Sequence, residues 1–262
     1  MSNFEDLDDE IKAGMAGRNS GIPMGFDRLN RYIGIRKRIY TLIGGLTGSG
    51  KTSFLDDAYV LNPYDWYISK ENTTGIKLKI IYRSMERSRI YKLAKWTSRR
   101  IFLEQGIILP VSKLLSWNKD NKLTLDEHDL FLTAKDYIDG LQEVITIIDG
   151  PENPIGIAKQ LTEHALQNGK IEKLDEFNKV YIENDPNTIT LVAIDTMNLL
   201  KLTKEYNTKK AAIDKMSDEL RYHRDFFNFS PIAVSQFNRD IANPIRIKQG
   251  DVEPQLEDKL ND

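Results

Sequence analysis

The chain has 262 residues, 40% of them hydrophobic and 29% charged, and its formal net charge is −2. This length is enough for one large α/β domain or two small ones, and the composition is ordinary for a soluble protein. The absence of cysteine excludes disulfides, zinc-thiolate sites and cysteine catalysis. An acidic N-terminus and the lack of a long apolar run predict a cytoplasmic protein without membrane contact. Because the chain is not globally basic, any nucleic-acid contact must come from a local patch or an assembled ring.

Residues 4–16 have the pattern of a short amphipathic helix, in which Phe4, Leu7, Ile11 and Met15 recur at three- and four-residue spacing. A helix of this length is marginal on its own in water. Two interpretations stay open: it packs on its own domain or a neighbouring subunit, or it is a frayed tail. We predict an N-terminal helix and loop over residues 1–20 and a single folded domain over 21–262.

From residue 22 onward, predicted strands alternate with predicted helices. The strands are expected at 39–43, 76–82, 144–148, 188–194 and 232–235, and the helices at 26–32, 86–104, 125–141, 155–168 and 211–227. Thr124 and Glu127 have the spacing of a capping box ahead of the third helix. Residues 169–187 predict an exposed polar insertion. The alternation indicates a doubly wound α/β fold with a largely parallel sheet, whose ligands bind at the carboxyl ends of the strands.

A phosphate-loop pattern follows the first predicted strand, as Gly45-Leu46-Thr47-Gly48-Ser49-Gly50-Lys51-Thr52. Ser53 then begins a predicted helix, which gives the motif its strand–loop–helix context. Backbone N–H groups in such a loop surround a polyphosphate with positive partial charge. Lys51 would reach the β- and γ-phosphates, and the Thr52 hydroxyl would ligate Mg²⁺. The sequence therefore predicts ATP and Mg²⁺ as cofactors, against the alternative of a glycine-rich turn with a chance lysine.

Three further polar residues follow predicted strands, and each has two interpretations. Asp195 is expected to hold Mg²⁺ beside Thr52, or to cap a turn. Glu86 would polarise the attacking water if its strand neighbours the phosphate-loop strand, or would be a helix N-terminal acid favoured by the dipole. Gln236 would contact the γ-phosphate, or lie in a simple strand-end turn. These are the candidates for catalysis and metal binding.

In their order along the chain, these motifs resemble the motor domain of DnaB-like replicative helicases, within the RecA-like ATPase group. The similar segments are 21–29, 44–52, 84–86, 122–124, 147–151, Asp195 and 235–239. The resemblance implies a RecA-like P-loop NTPase fold, with Lys51, Glu86 and Gln236 as catalytic residues. It also implies a hexameric ring on single-stranded DNA, other replication proteins as partners, and an N-terminal helix that docks on the next subunit.

Some features depart from that family. Only a short helix precedes the motor, and the insertion at 169–187 is similar to those of phage-type members, which would place the protein in a bacterial host cytoplasm. Residues 254–260 resemble the start of the DNA-contacting loop, but the lysine and arginine finger that normally follow are not in the sequence. An arginine finger is worth about 10³–10⁵ in rate. The chain is thus expected to be a fragment or a reduced member with weak activity.

Two other functions stay open on the sequence: a RecA-like recombination or annealing ATPase, and a hydrolysis-poor ATP-binding regulator or loader. The nucleic-acid contacts that we predict, or alternatively a solvated turn, are Arg239, Arg246, Lys248 and Lys259. A basic run over residues 83–100 falls on a predicted helix. It is either a contact surface for DNA or a subunit, or a solvated face.

Overall fold

The structure, a computed structural model, describes residues 3–15, 17, 19 and 21–237. Its strands are β1 (Thr41–Gly45), β2 (Lys77–Ser84), β3 (Ile145–Asp149), β4 (Gly169–Lys173), β5 (Lys179–Glu183), β6 (Thr188–Asp195) and β7 (Ser230–Gln236). Its α-helices are α1 (Asn3–Met15), α2 (Asp27–Asn30), α3 (Lys51–Asp56), α4 (Asn62–Ile68), α5 (Arg89–Gln105), α6 (Val111–Leu114), α7 (Leu125–Thr133), α8 (Lys135–Val144), α9 (Pro154–Gln167) and α10 (Lys209–Phe227). A π-helical turn (Asp57–Leu61) joins α3 to α4, and a 3₁₀ turn (Met197–Leu199) follows β6.

Five strands form the central sheet in the order β1-β7-β6-β2-β3, and every neighbouring pair is parallel. The predicted α/β fold with a mostly parallel sheet is confirmed. The inner strands β6 and β2 are, like the inner strand β7, apolar along most of their length because helices cover both faces of the sheet. Alternate residues therefore enter different cores: Leu191 packs towards α3, α4 and α5, whereas Val192 packs towards α9 and α10.

The strands and helices differ from the prediction mainly at their ends. β1 begins two residues later than expected and runs through the phosphate-loop glycine, because its ladder with β7 pairs Gly45 with Gln236. The helix predicted over 125–141 is two helices, α7 and α8, which meet at Ala134. The predicted capping box is present, since the Thr124 side chain accepts from the Glu127 N–H and the Glu127 carboxylate accepts from the Thr124 N–H. Because all neighbouring strands are parallel, the carboxyl ends of the five central strands lie at one edge of the sheet, where ligands of such sheets bind.

Residues 169–187, predicted as an exposed polar insertion, contain an antiparallel hairpin of β4 and β5. Most of its side chains are exposed, but Tyr181 is buried, which was not anticipated. The Tyr181 hydroxyl donates to the Ala165 carbonyl at 2.8 Å, and its ring packs edge-on against Phe227. The hairpin is thus anchored to the α9–α10 side of the sheet.

The predicted N-terminal helix is present as α1, and the apolar face that defined it is exposed. Phe4 and Met15 are 75% and 84% exposed. Among the helices of the described residues, none combines the length and the apolar character needed to cross a bilayer.

Candidate functional site

The phosphate loop leaves β1 at Gly45 and enters α3 at Lys51, in the predicted strand–loop–helix arrangement. Gly48 and Gly50 have φ angles of +78° and +86°, in the left-handed region that favours glycine. The loop forms one wall of a cleft of about 500 Å³ at the carboxyl edge of the sheet. This volume lies within the range of small-ligand sites. The cleft is lined by Thr47, Gly48, Gly50, Lys51, Thr52, Ser53, Glu86, Asp195, Thr196, Asn198, Leu199, Val234 and Gln236.

Lys51 is the cation of this cleft. Its Nζ donates to the carbonyl of Leu46 at 2.6 Å, so the side chain curves along the loop that it follows. Partial desolvation lowers the pKa of Lys51, while the negative charges of Asp195 and Glu86 act in the opposite direction. Both carboxylates are therefore close enough to influence the ammonium, although they come from different strands.

Thr52 and Asp195 meet as predicted at the back of the cleft. The Thr52 hydroxyl donates to Asp195 Oδ1 at 2.9 Å. A hydroxyl and a carboxylate are hard oxygen donors, which suit Mg²⁺ when it takes one or two protein ligands together with phosphates and water. The described residues hold no cluster of three or more carboxylate or histidine side chains able to bind a metal by themselves. The donor set therefore fits a magnesium ion brought in with a nucleotide.

The second oxygen of Asp195 enters a buried ionic cluster that the sequence did not predict. Asp195 Oδ2 accepts from Lys92 Nζ at 2.9 Å, and the Tyr82 hydroxyl, which has one proton to donate, lies 2.8 Å from Asp56 Oδ1 and 3.1 Å from Asp195 Oδ2. Lys92 Nζ also donates to Asp56 Oδ1 at 3.1 Å. Burial, reinforced by the two carboxylates, raises the pKa of Tyr82 well above its ordinary value, so the phenol is a neutral donor. The sign in the sequence that Lys92 is buried was its position four residues before Trp96, on the same face of the helix.

Glu86 reaches the cleft by a route different from the expected one. Its strand β2 does not neighbour β1, because β7 and β6 lie between them. The condition set for Glu86 is therefore not met, since strand order is decided by the crossovers rather than by order along the chain. Glu86 nonetheless lines the cleft, because it lies two residues beyond the end of β2. Its carboxylate is 51% exposed and lies 4.0 Å from the guanidinium of Arg87.

Gln236 connects the end of β7 to the phosphate loop, because its Nε2 donates to the Thr47 hydroxyl. The backbone N–H of Gln236 donates to Asn198 Oδ1 at 2.8 Å. Asn198 was missed, although it lies only three residues beyond Asp195. It ties the segment after β6 to the end of β7, so the two strand ends that carry Asp195 and Gln236 are joined side by side.

The structure describes the basic run on α5 but not the four predicted nucleic-acid contacts. Arg239, Arg246, Lys248 and Lys259 lie outside the described residues. On α5, the basic run is largely engaged with nearby acids rather than forming a free solvated face. Arg99 Nε lies 2.6 Å from Asp57 Oδ1, Arg100 pairs with Glu104, and Lys95 pairs with Asp56. The pairs of Arg99 and Lys95 join α5 to the helical segment that follows the phosphate loop, whereas the Arg100–Glu104 pair lies within α5.

Solved structures of other proteins share this fold. No family model and no curated protein matches the sequence. A solved structure described as a DnaB-like replicative helicase and its interactions with primase aligns with 98% of this chain, at a TM-score of 0.66 and 18% identity. The chain spans 52% of that protein. A second solved structure, described as an ATPase domain, gives the same TM-score, identity and coverage of this chain, and 78% of its own length is matched. The chain therefore shares the RecA-like fold of that DnaB-like replicative helicase, which confirms the predicted resemblance at the level of the fold.

Proposed function

We propose that this chain is the ATP-binding and hydrolysing motor domain of a DnaB-like replicative DNA helicase that acts on single-stranded DNA. The observation that carries the proposal is the convergence of the phosphate loop, Glu86, Asp195 and Gln236 on one cleft. These residues come from the ends of four different strands or their following loops. If the loop were only a glycine-rich turn with a chance lysine, these polar side chains from other strands would not be expected beside it.

The phosphate loop would bind the polyphosphate of ATP. Backbone N–H groups of residues 45–53 would contact the phosphate oxygens, and Lys51 would leave the Leu46 carbonyl to reach the β- and γ-phosphates. Thr52 and Asp195 would hold Mg²⁺, which when bound would offset the negative charge of the phosphates. The cleft thus supplies a cation, a hydroxyl and a carboxylate for one nucleotide.

Glu86 would orient and polarise the water that attacks the γ-phosphorus. Its carboxylate is half exposed and would accept a proton from that water as the bond from the bridging oxygen to the γ-phosphorus breaks. The products are ADP and inorganic phosphate. Gln236 would sense the γ-phosphate, and its bond to Thr47 gives the end of β7 a direct link to the loop that holds the nucleotide.

DNA contact and assembly complete the proposal. Hydrolysis would move the chain beyond β7, where Arg239, Arg246, Lys248 and Lys259 would contact the phosphates of single-stranded DNA. The motor would work as a hexameric ring in the cytoplasm, and α1 would dock through its exposed apolar face on a neighbouring subunit. Other replication proteins would be further partners of the ring.

A steady-state ATPase assay with Mg²⁺, with and without single-stranded DNA, tests this function. We expect hydrolysis that DNA stimulates and that Lys51→Ala removes. Lys159→Ala, which changes an exposed lysine on α9, is the matched control and should behave as wild type. Tight ATP retention without hydrolysis would contradict the proposal in favour of a regulator or loader. Open filaments on single-stranded DNA, seen by electron microscopy, would contradict it in favour of a recombination ATPase.

A further inference from the structure

Lys92 lies on α5 with its side chain buried behind Asp195, and it is only 1% exposed. An ammonium group carries three N–H donors. The three oxygens within hydrogen-bond distance of Lys92 Nζ are Asp195 Oδ2 at 2.9 Å, Asp56 Oδ1 at 3.1 Å and the Tyr82 hydroxyl at 2.5 Å. Every donor of this buried cation can therefore find an acceptor.

Stability alone gives no reason for burying the whole ionic cluster of Lys92, Asp56 and Asp195. Taking two or more charges out of water is costly, and apolar residues of similar volume often replace a buried ion pair without loss of stability. Removing Lys92 alone is different, because it would leave the buried carboxylates of Asp56 and Asp195 without this cation, whose Nζ also lies 4.6 Å from the centre of the Tyr82 ring. The reason for the charge must lie in what the ammonium contacts.

The two oxygens of Asp195 have different partners. Oδ1 accepts from the Thr52 hydroxyl, which faces the cleft, and Oδ2 accepts from the buried Lys92 and lies beside the buried Tyr82 hydroxyl. A carboxylate that is held through one oxygen has a fixed orientation for the other. Hydrogen-bond partners of this kind orient metal ligands, and their loss typically costs about 10–100-fold in metal affinity.

Resting on the proposed binding of Mg²⁺ and ATP, we infer that Lys92 is a positioning residue for the magnesium site. Its ammonium holds Asp195 Oδ2 and thereby keeps Oδ1 beside the Thr52 hydroxyl. It also joins Asp195 to Asp56, so the strand that carries the metal ligand is tied to the helix that follows the phosphate loop. This role is separate from contact with the nucleotide, since Lys92 does not line the cleft.

Lys95 provides a matched control on the same helix. Its Nζ donates to Asp56 Oδ2 and to the Ser53 hydroxyl, both at 3.1 Å, rather than to Asp195. It is 32% exposed. Lys92 and Lys95 therefore share one acidic partner and differ in the contact with the proposed metal ligand, which is the contact under test.

The experiment measures ATP binding to the full chain by calorimetry, in EDTA and over a series of Mg²⁺ concentrations. Lys92→Met should raise the Mg²⁺ concentration needed for half-maximal tightening of ATP binding by about tenfold or more. Its ATP affinity in EDTA should stay within about twofold of wild type, because the phosphate loop and Lys51 are intact. Lys95→Met should leave the Mg²⁺ requirement unchanged. Urea unfolding in EDTA, without nucleotide, reports separately on the fold of each variant.

The outcomes separate this inference from the proposed function. Wild-type protein that binds no ATP at any Mg²⁺ concentration would overturn both. Wild-type protein that binds ATP with Mg²⁺, together with an unchanged Mg²⁺ requirement in Lys92→Met, would overturn the inference alone. If Lys92→Met does not fold, the double variant Lys92→Met/Asp56→Asn restores the charge balance of the cluster. A tenfold higher Mg²⁺ requirement in that double variant supports the inference, and a wild-type requirement overturns it.

Discussion

The two edges of the central sheet are built by different means. At the carboxyl edge, polar side chains from several segments surround an open cleft and contact one another through hydrogen bonds, such as those of Thr52 and Gln236. At the amino edge, the β4–β5 hairpin, the end of α10 and the start of β7 bring aromatic rings together. Phe227 there packs against Tyr181 and Phe229 with centroids 5.1 and 6.1 Å apart. The comparison indicates that chemistry is concentrated at one edge and packing stability at the other.

The largest effect is expected at the carboxyl edge, from Glu86→Gln. An amide cannot accept the proton of the attacking water, so kcat for ATP hydrolysis should fall by about 10²–10⁴-fold. ATP affinity and urea unfolding should match wild type, because Glu86 is half exposed and lies beyond β2. A steady-state assay measures the rate. If Glu86→Gln lowered the free energy of unfolding by more than about 1 kcal/mol, the assignment of chemistry and packing stability to different edges would be contradicted.

The amino edge is tested by Phe227→Ala, which removes a ring that is 1% exposed. Truncation of a buried phenylalanine typically costs about 3–5 kcal/mol in the free energy of unfolding. Urea unfolding measures this, and ATP affinity per folded molecule should be unchanged. Phe177→Ala is the matched control, because Phe177 lies between β4 and β5 and is 87% exposed. Its effect should stay within about 0.5 kcal/mol, and an equal effect from both variants would contradict the account.

Two buried histidines are expected to make the amino edge sensitive to acid. Burial lowers the pKa of His223 and, with a smaller contribution from the charge of Lys79, that of His164. The unfolded chain then binds more protons below about pH 6.5, so the free energy of unfolding should fall as pH falls through that range. Each histidine contributes at most about 1.4 kcal/mol per pH unit.

Urea unfolding at pH 7.5 and 5.5 measures this loss of stability. His223→Gln should reduce the difference between the two pH values, whereas His128→Gln, on the exposed surface of α7, should leave it unchanged. The ATP affinity per folded molecule should be the same in wild type and His223→Gln at each pH. A pH dependence of stability that is identical in wild type and His223→Gln would remove His223 from the explanation.

The smallest effect is predicted for Gln236→Ala, at the carboxyl edge of the sheet. The loss of one uncharged hydrogen-bond donor near the γ-phosphate should reduce the preference for ATP over ADP by up to about tenfold, which corresponds to about 0.5–1.5 kcal/mol. Calorimetry with each nucleotide measures it. Gln142→Ala, an exposed change on α8, is the control. Equal weakening of ATP and ADP binding would mean that Gln236 does not distinguish the γ-phosphate.

Much of this architecture could be predicted from the sequence, for identifiable reasons. Parallel strands buried on both faces read as apolar runs, so β2 and β6 were found within one or two residues. The phosphate loop depends on local backbone geometry, which the spacing of its glycines encodes directly. The contact between Thr52 and Asp195 followed because parallel strands end at a common edge.

What the sequence did not predict depends on which strands become neighbours. The adjacency of β1 and β2, which was the condition set for Glu86, does not occur, because two strands that come later in the chain lie between them. Asn198 and Lys92 were missed for the same reason, since their partners lie 38 and 103 residues away. Lysine is usually exposed, so a buried lysine is not expected from residue type. In the sequence, burial of Lys92 was indicated only by its position four residues before Trp96, on the same face of the predicted helix.

The most direct test of the central claim, that the carboxyl edge binds ATP with Mg²⁺, is calorimetric titration of ATP into wild type and Lys51→Ala. Loss of one charge-assisted contact should weaken ATP binding by about tenfold to a hundredfold. Urea unfolding should be unchanged, because Lys51 lies in the wall of the cleft rather than in either core. Equal ATP affinities for wild type and Lys51→Ala would contradict the account.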